Sequence, residues 1–118
     1  MNFSSFSNNT NEATETAAAP RNLDLSGSAF KEQLHQHTNG VLIDVRTRAE
    51  FMAGTIPEAR NLDIFSPDFG AKIAQLDKDA TYFVFCRSGN RSAQACYLMH
   101  QLGYDVRNLA GGIGAYPF

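Results

Sequence analysis

Cysteine is scarce in this chain, and the scarcity narrows what the chain can be. Cys86 and Cys96 are the only two among 118 residues. They do not form CxxC, and with three histidines scattered along the chain they give no zinc-ligand spacing, so neither a metal nor a cofactor is expected. Two cysteines are also too few for a disulfide-stapled secreted scaffold, which points to a reducing compartment and a cytoplasmic location. No apolar run approaches the roughly 18 residues that a membrane-spanning helix needs. The first residues lack the basic start and apolar stretch of a secretory signal, so the glycosylation pattern Asn8-Asn9-Thr10 is set aside. Excess positive charge is missing too. Ten basic against twelve acidic residues give a net charge of -2, which offers nothing to nucleic acid or an anionic membrane.

What is present suits one globular domain. A hydrophobic content of 43% can supply a packed core, and 118 residues are too few for two ordinary domains. Residues 1–20 are rich in Ser, Asn, Thr, Glu and Ala, with Phe3 and Phe6 as the bulky apolar exceptions. Such a segment cannot repay the entropy of ordering itself, so it is expected to be a flexible N-terminal tail. The alternative is a short partner-binding arm that uses the two phenylalanines. The folded domain is expected over residues 21–118.

Within that domain, short strands and helical segments alternate. Leu23 and Leu25 suggest a first strand; Ser26 is placed to cap a helix carrying Phe30 and Leu34 to about His37, and Asn39-Gly40 stops it. Val41 to Val45 form an apolar strand of the kind covered on both faces. A brief helix around Ala49 to Met52, a turn at Gly54 to Pro57 and a strand at Arg60 to Leu62 follow. Ser66-Pro67 reads as a helix start, with Phe69, Ile73 and Leu76 on one face. Thr81 to Phe85 is aromatic and β-branched and is the clearest strand. A helix from Ser92 to Leu102, with Ala95, Met99 and Leu102 inward, ends at Gly103. A strand over Asp105 to Leu109 and a turn at Gly111 to Gly114 complete the pattern. It predicts an α/β fold: an open parallel β-sheet flanked by helices on both faces.

Position singles out Cys86. It follows the strongest strand, and its loop, Arg87-Ser88-Gly89-Asn90-Arg91-Ser92, leads into a helix. Ligands of open α/β sheets bind beyond the carboxyl ends of strands, and a helix start offers unpaired amides and a positive dipole end. Amides curled around the sulfur form an anion nest, and the same field lowers the thiol pKa. Gly89 tolerates the positive φ such a curl needs, and Asn90 is the next most tolerant residue. Arg87 and Arg91 add charge near the mouth, while Ser88 and Ser92 offer hydroxyl donors. The bland alternative is a buried strand-end cysteine with two solvated arginines. Cys96, inside the helix, reads as a small buried filler. His100 is expected on the surface, and His35 and His37 near a helix end, where they meet its dipole.

The chain resembles a single-domain rhodanese from its first strand to Tyr116. Three motifs carry the resemblance: Ile43-Asp44-Val45-Arg46 with Glu50-Phe51 and Gly54-Thr55-Ile56-Pro57-Glu58-Ala59; the loop Cys86 to Ser92; and Asn108-Leu109-Ala110-Gly111-Gly112-Ile113. The resemblance implies that Cys86 forms a persulfide within a cradle of the amides of residues 87–91. It implies that Asp44 and Arg46 brace the site from a neighbouring strand, with Glu50 as an ionic partner for Arg46. Thr55 and Glu58 stand where histidine and glycine are common, and Tyr116 where tryptophan is usual. Many relatives continue beyond Phe118 into a short helix, which is expected to leave part of the sheet less covered here.

The expected activity is sulfurtransfer from an anionic donor such as thiosulfate to a thiol, a protein or cyanide. One rival is a sulfur-relay or partner-binding rhodanese module with little turnover of free substrates. The other is a cysteine-dependent phosphatase or arsenate reductase, whose arginine stands six positions after the cysteine. That position holds Ser92 here, and Arg91 comes one residue too early.

Overall fold

The computed structural model describes residues 23–118; the tail expected over residues 1–20 lies outside the described residues. Five strands form a single parallel sheet: β1 (Asp24–Leu25), β2 (Gly40–Asp44), β3 (Arg60–Asn61), β4 (Thr81–Phe85) and β5 (Asp105–Leu109). Their spatial order is β1-β5-β4-β2-β3. Four helices connect them: α1 (Gly27–Gln36), α2 (Arg48–Ala53), α3 (Phe69–Ala74) and α4 (Asn90–Gln101). The chain closes with a 3-10 turn over Ile113–Ala115, where a plain turn was expected.

Strand β4 is the middle strand of the sheet, and every one of its residues is buried. Successive strand side chains point to opposite faces, so β4 feeds two cores. Tyr82, Val84 and Cys86 pack with Ile43, Val45 and Val106 under α3 and α4, whose Ile73, Ala95, Cys96 and Met99 face them. Phe83 and Phe85 pack on the other face with Leu42, Ile56, Leu109 and Tyr116 against Phe30 of α1. Phe30 meets Phe83 edge to face, centroids 5.5 Å apart. That geometry suits the aromatic quadrupole. Helices thus cover both faces, as the sequence pattern predicts.

Helix ends follow local chemistry. Ser26 caps α1, its Oγ accepting the Ala29 N–H at 3.2 Å. Thr47 and Glu50 form a capping box on α2, each side chain accepting the other's backbone N–H. Three expectations shift. Helix α3 begins at Phe69 rather than at Ser66-Pro67, which lie in the preceding turn. Helix α4 begins at Asn90, so Asn90, Arg91 and Ser92 belong to its first turn. Leu102 is 42% exposed, not inward, because α4 stops at Gln101 and the buried Tyr104 takes the inward position instead.

The order of connections places the site. From β2 the chain moves outward to β3, then returns to start β4 on the other side of β2 and moves outward again to β5. The crevice at the carboxyl ends of β2 and β4 is therefore the switch point, where ligands settle in open parallel sheets. Cys86 follows β4 and Arg46 follows β2 at this crevice.

Candidate active site

Cys86 is fully buried, and its sulfur collects hydrogen bonds from the loop that follows. Gly89 N–H donates to Sγ at 3.0 Å, Ser92 N–H at 3.3 Å and the Ser92 hydroxyl at 3.3 Å. The loop turns at Gly89, whose φ of 99° lies in the left-handed region that glycine enters without penalty. Asn90 is not called on for such a conformation. Because α4 starts at Asn90, its unpaired amides and positive dipole end point toward the sulfur. Burial pushes the Cys86 thiol up. The Ser92 hydroxyl and the amides of Ser92, Gly89 and Ser88 outweigh that effect and hold it below its ordinary value. Ser92 thus gives both an amide and a hydroxyl, although its amide lies one residue beyond the expected cradle.

The base of the loop is clamped by the closing turn. Ile113 N–H donates to the Cys86 carbonyl at 2.8 Å. Gly112, at φ 77°, lies so close that a Cβ there would stand 2.0 Å from the Arg87 carbonyl oxygen. The third sequence motif therefore acts as a floor beneath the loop. Sequence reasoning matched that motif but gave Gly112 and Ile113 no role at the site.

Asp44 and Arg46 stand beside the loop on β2 and just after it. Asp44 has no exposed surface and Arg46 is 7% exposed. Arg46 Nε donates to both Asp44 oxygens at 3.0 and 3.1 Å, and its Nη2 donates to Oδ2 at 2.8 Å and to the Gly54 carbonyl at 2.6 Å. The Thr55 hydroxyl donates to the same Asp44 Oδ2 at 2.9 Å, a contact the sequence reading did not foresee. Hydrogen bonding to Asp44 is the main influence raising the Arg46 guanidinium above its already high ordinary value.

Glu50 departs from expectation. Its partner is not Arg46, which Asp44 already satisfies, but Arg91 on the active loop. Arg91 Nη1 reaches Oε1 at 2.8 Å and Nη2 reaches Oε2 at 3.1 Å, a two-pronged pair between α2 and α4. Arg91 lowers the Glu50 carboxyl to about 2, with help from Thr47, so Glu50 is ionised throughout the neutral range and too acidic to shuttle protons. Arg91 is correspondingly occupied. Arg87, Ser88 and Asn90 are exposed on the loop, and among the described residues Arg87 makes no ion pair.

A shallow cavity of about 330 Å³ opens here, lined by Arg46, Glu50, Ala53, Gly54, Arg87 and Ile113. A larger one of about 670 Å³ lies between α1 and the start of β2, bounded by Leu34, His37, Val41, Leu42, Ile56 and Tyr116 among others. Neither cavity is lined by a cysteine, and it is the Cys86 cradle beside the smaller one, rather than volume, that identifies the site. Cys96 is fully buried, and burial pushes its thiol well above the ordinary value, in keeping with a filler role. His100 is exposed at the far end of α4, and His37 bonds the Gln33 carbonyl through Nδ1 at 2.7 Å. Among the described residues no helix is long and apolar enough to cross a membrane.

The fold and the site define a class: small parallel α/β domains that hold a cysteine in a cradle of amides at the switch point of the sheet. Comparison with known proteins gives the family. The sequence profile of the Rhodanese-like domain matches residues 26–116. The chain is 37% identical over 93 residues to a putative sulfurtransferase, YtwF, of Bacillus subtilis, covering 79% of this chain and 88% of that protein. It is 35% identical over 94 residues to a sulfurtransferase of Allochromatium vinosum, covering 79% and 86%. Among solved structures, a rhodanese-related protein from Thermoplasma volcanium superposes with a TM-score of 0.68 at 29% identity, covering 80% of this chain and 94% of that one. A rhodanese-like domain protein from Staphylococcus aureus gives 0.69 at 26% identity, covering 79% and 89%. The chain belongs to the rhodanese-like family.

Proposed function

We propose that this domain is a sulfurtransferase that carries sulfane sulfur as a persulfide on Cys86. The observation that carries the reading is the convergence of the Gly89 and Ser92 amides and the Ser92 hydroxyl on one sulfur whose thiol is lowered despite complete burial. A thiolate in that cradle attacks the outer sulfur of an anionic donor such as thiosulfate. A new S–S bond forms, the donor's S–S bond breaks, and its electron pair leaves with sulfite. The persulfide retains one negative charge, and the cradle that held the thiolate is suited to hold it. A thiol, a protein thiolate or cyanide then attacks the outer sulfur and regenerates the Cys86 thiolate. Arg87, exposed at the mouth and with no carboxylate partner among the described residues, is suited to meet the sulfonate oxygens of the donor.

The donor is named by its chemistry: a small anion with a transferable sulfur. Curated relatives include a thiosulfate:glutathione sulfurtransferase of Homo sapiens, 37% identical over 84 residues, and a thiosulfate sulfurtransferase GlpE of Pseudomonas putida, 39% identical over 82 residues. Both names fit that chemistry. The phosphatase reading is disfavoured by the active loop, in which Ser92 occupies the place of the phosphate-binding arginine and turns its hydroxyl to the Cys86 sulfur.

The test is to incubate the protein with thiosulfate, remove the reagent and record the intact mass. The expected result is the gain of one sulfur by the unmodified protein and by Cys96→Ala, with no gain by Cys86→Ser. No adduct with thiosulfate or with several other sulfane donors would overturn the proposal.

A further inference from the structure

Cys86 has no exposed surface, yet an acceptor must touch a sulfur attached to it. One wall of the mouth is α2, which contributes Glu50, Ala53 and the adjoining Gly54. This helix has only six residues, none of them buried, and it supplies no side chain to either core. A helix so short has little stability of its own and depends on tertiary contacts. Those it has at the mouth are polar: the Arg46 bond to the Gly54 carbonyl at its end, and the Glu50–Arg91 pair in its middle. Met52, on the same helix, is 67% exposed.

We propose that α2 is a movable wall of the mouth, latched by the Glu50–Arg91 pair, and that this latch sets the size of the acceptor that can reach the Cys86 sulfur. With the latch closed, a cavity of about 330 Å³ lies beside the loop, lined by Glu50, Gly54 and Arg87 and not by Cys86 itself, a volume that suits cyanide or a small thiol. A thiol presented by another protein needs α2 displaced, and Glu50 is the residue whose grip must be exchanged. Both partners of the pair are partly open to solvent, with side-chain exposures of 22% and 28%, so its hold is modest and reversible. Glu50 and Arg91 are therefore specificity-determining positions that act through α2. The acceptor role rests on the persulfide reading, but the movement of the wall can be measured without it.

The experiment compares alkylation of Cys86 by two neutral reagents of the same chemistry and different bulk, N-ethylmaleimide and N-(1-pyrenyl)maleimide. Rates at Cys86 are read by peptide mass. In Glu50→Gln and in Arg91→Gln, the bulky-to-small rate ratio is expected to rise about two- to fivefold, the range that loss of a partly exposed ion pair allows. Arg91→Gln leaves the Thr47–Glu50 capping box in place, so it separates the latch from the helix cap. In the unmodified protein, raising the ionic strength should move the ratio the same way, by screening. This arm remains valid if either variant folds poorly. The proposal fails if the ratio is unchanged in both variants, or if it rises in Glu50→Gln alone, which would assign the effect to the cap. An unchanged ratio with normal thiosulfate loading would leave the persulfide reading standing and remove only the latch. A shifted ratio without loading would do the reverse.

Discussion

Cys86 combines two properties that normally oppose each other, complete burial and a lowered thiol pKa. Burial alone penalises the thiolate, so the cradle must supply more than it costs. Ser92 is the largest of the favourable influences because its hydroxyl and its amide both reach the sulfur. Removing the hydroxyl leaves the backbone cradle intact and tests that ranking directly. Ser92→Ala should raise the midpoint of the pH–alkylation curve of Cys86 and slow its alkylation at neutral pH about tenfold, as expected for one hydrogen bond to a charged group. The measurement is the rate with iodoacetamide across pH. An unmoved midpoint would mean that the Gly89 and Ser92 amides suffice. Glu58 illustrates the opposite situation, a residue placed where its type fits poorly. It sits at φ 74°, a left-handed conformation that carries a steric cost for any side chain, which accounts for glycine being common at that position of the motif.

At the scale of elements, the site is a joint between pieces that are far apart in sequence. The loop after β4 rests on the closing turn, through Ile113 N–H and the flat face that Gly112 presents to Arg87. Gly112→Ala should therefore disturb the loop even though it touches no titratable group. A Cβ at 2.0 Å from a backbone oxygen, added at a positive φ, should cost at least about 2 kcal/mol of folding stability and reduce sulfur loading. Gly114→Ala is the control, since a Cβ there meets nothing within 4 Å and its φ is not positive. Thermal melts and intact mass after thiosulfate treatment separate the two variants; equal behaviour would refute the role of the turn as a floor. The sequence made the elements legible wherever one residue pattern spoke for itself. Thr81–Phe85 announced a buried strand, Ser26 a cap, and the Cys86 loop an amide nest. It was silent on pairings made by the fold. Glu50 and Arg91 are 41 positions apart, and only the folded chain brings their side chains together. Arg46 was assigned to Glu50 because the two share a motif. Asp44, two residues earlier at the end of β2, meets the Arg46 backbone N–H and its guanidinium at once and so had the prior claim. Leu102 fits the spacing of Ala95 and Met99, but the helix ends one residue before it, and spacing says nothing about where a helix stops.

At the scale of the whole molecule, the two cores on either side of β4 hold the sheet, while charged pairs hold the mouth. The mouth should therefore respond to acid before the sheet does. Glu50 is the group whose sign can be worked out. Its carboxyl lies at about 2 in the folded protein against an ordinary 4.5, chiefly because Arg91 bonds it and secondarily because Thr47 does. Arg46 is a further nearby cation, which feels the Glu50 charge. The unfolded chain takes up this proton more readily than the folded one. The contribution of Glu50 to stability is therefore fully present above 4.5 and is lost as the pH falls from 4.5 toward 2. Asp105 is exposed; its partial desolvation is outweighed by its bonds to Arg107 and Thr81 together, which hold it below its ordinary value, so it adds to the same acid limb and the stability of a Glu50 variant still slopes there. In urea titrations at a series of pH values, Glu50→Gln should be less stable than wild type at neutral pH. The gap should close steadily below 4.5 and vanish near 2. Because the pair is partly exposed, high salt should narrow the gap at neutral pH as well. A gap independent of pH would mean that the folded state does not favour the ionised carboxyl, so that neither Arg91 nor the capping bonds of Thr47 distinguish it from an amide. The ion pair between α2 and the active loop would then contribute no net stability.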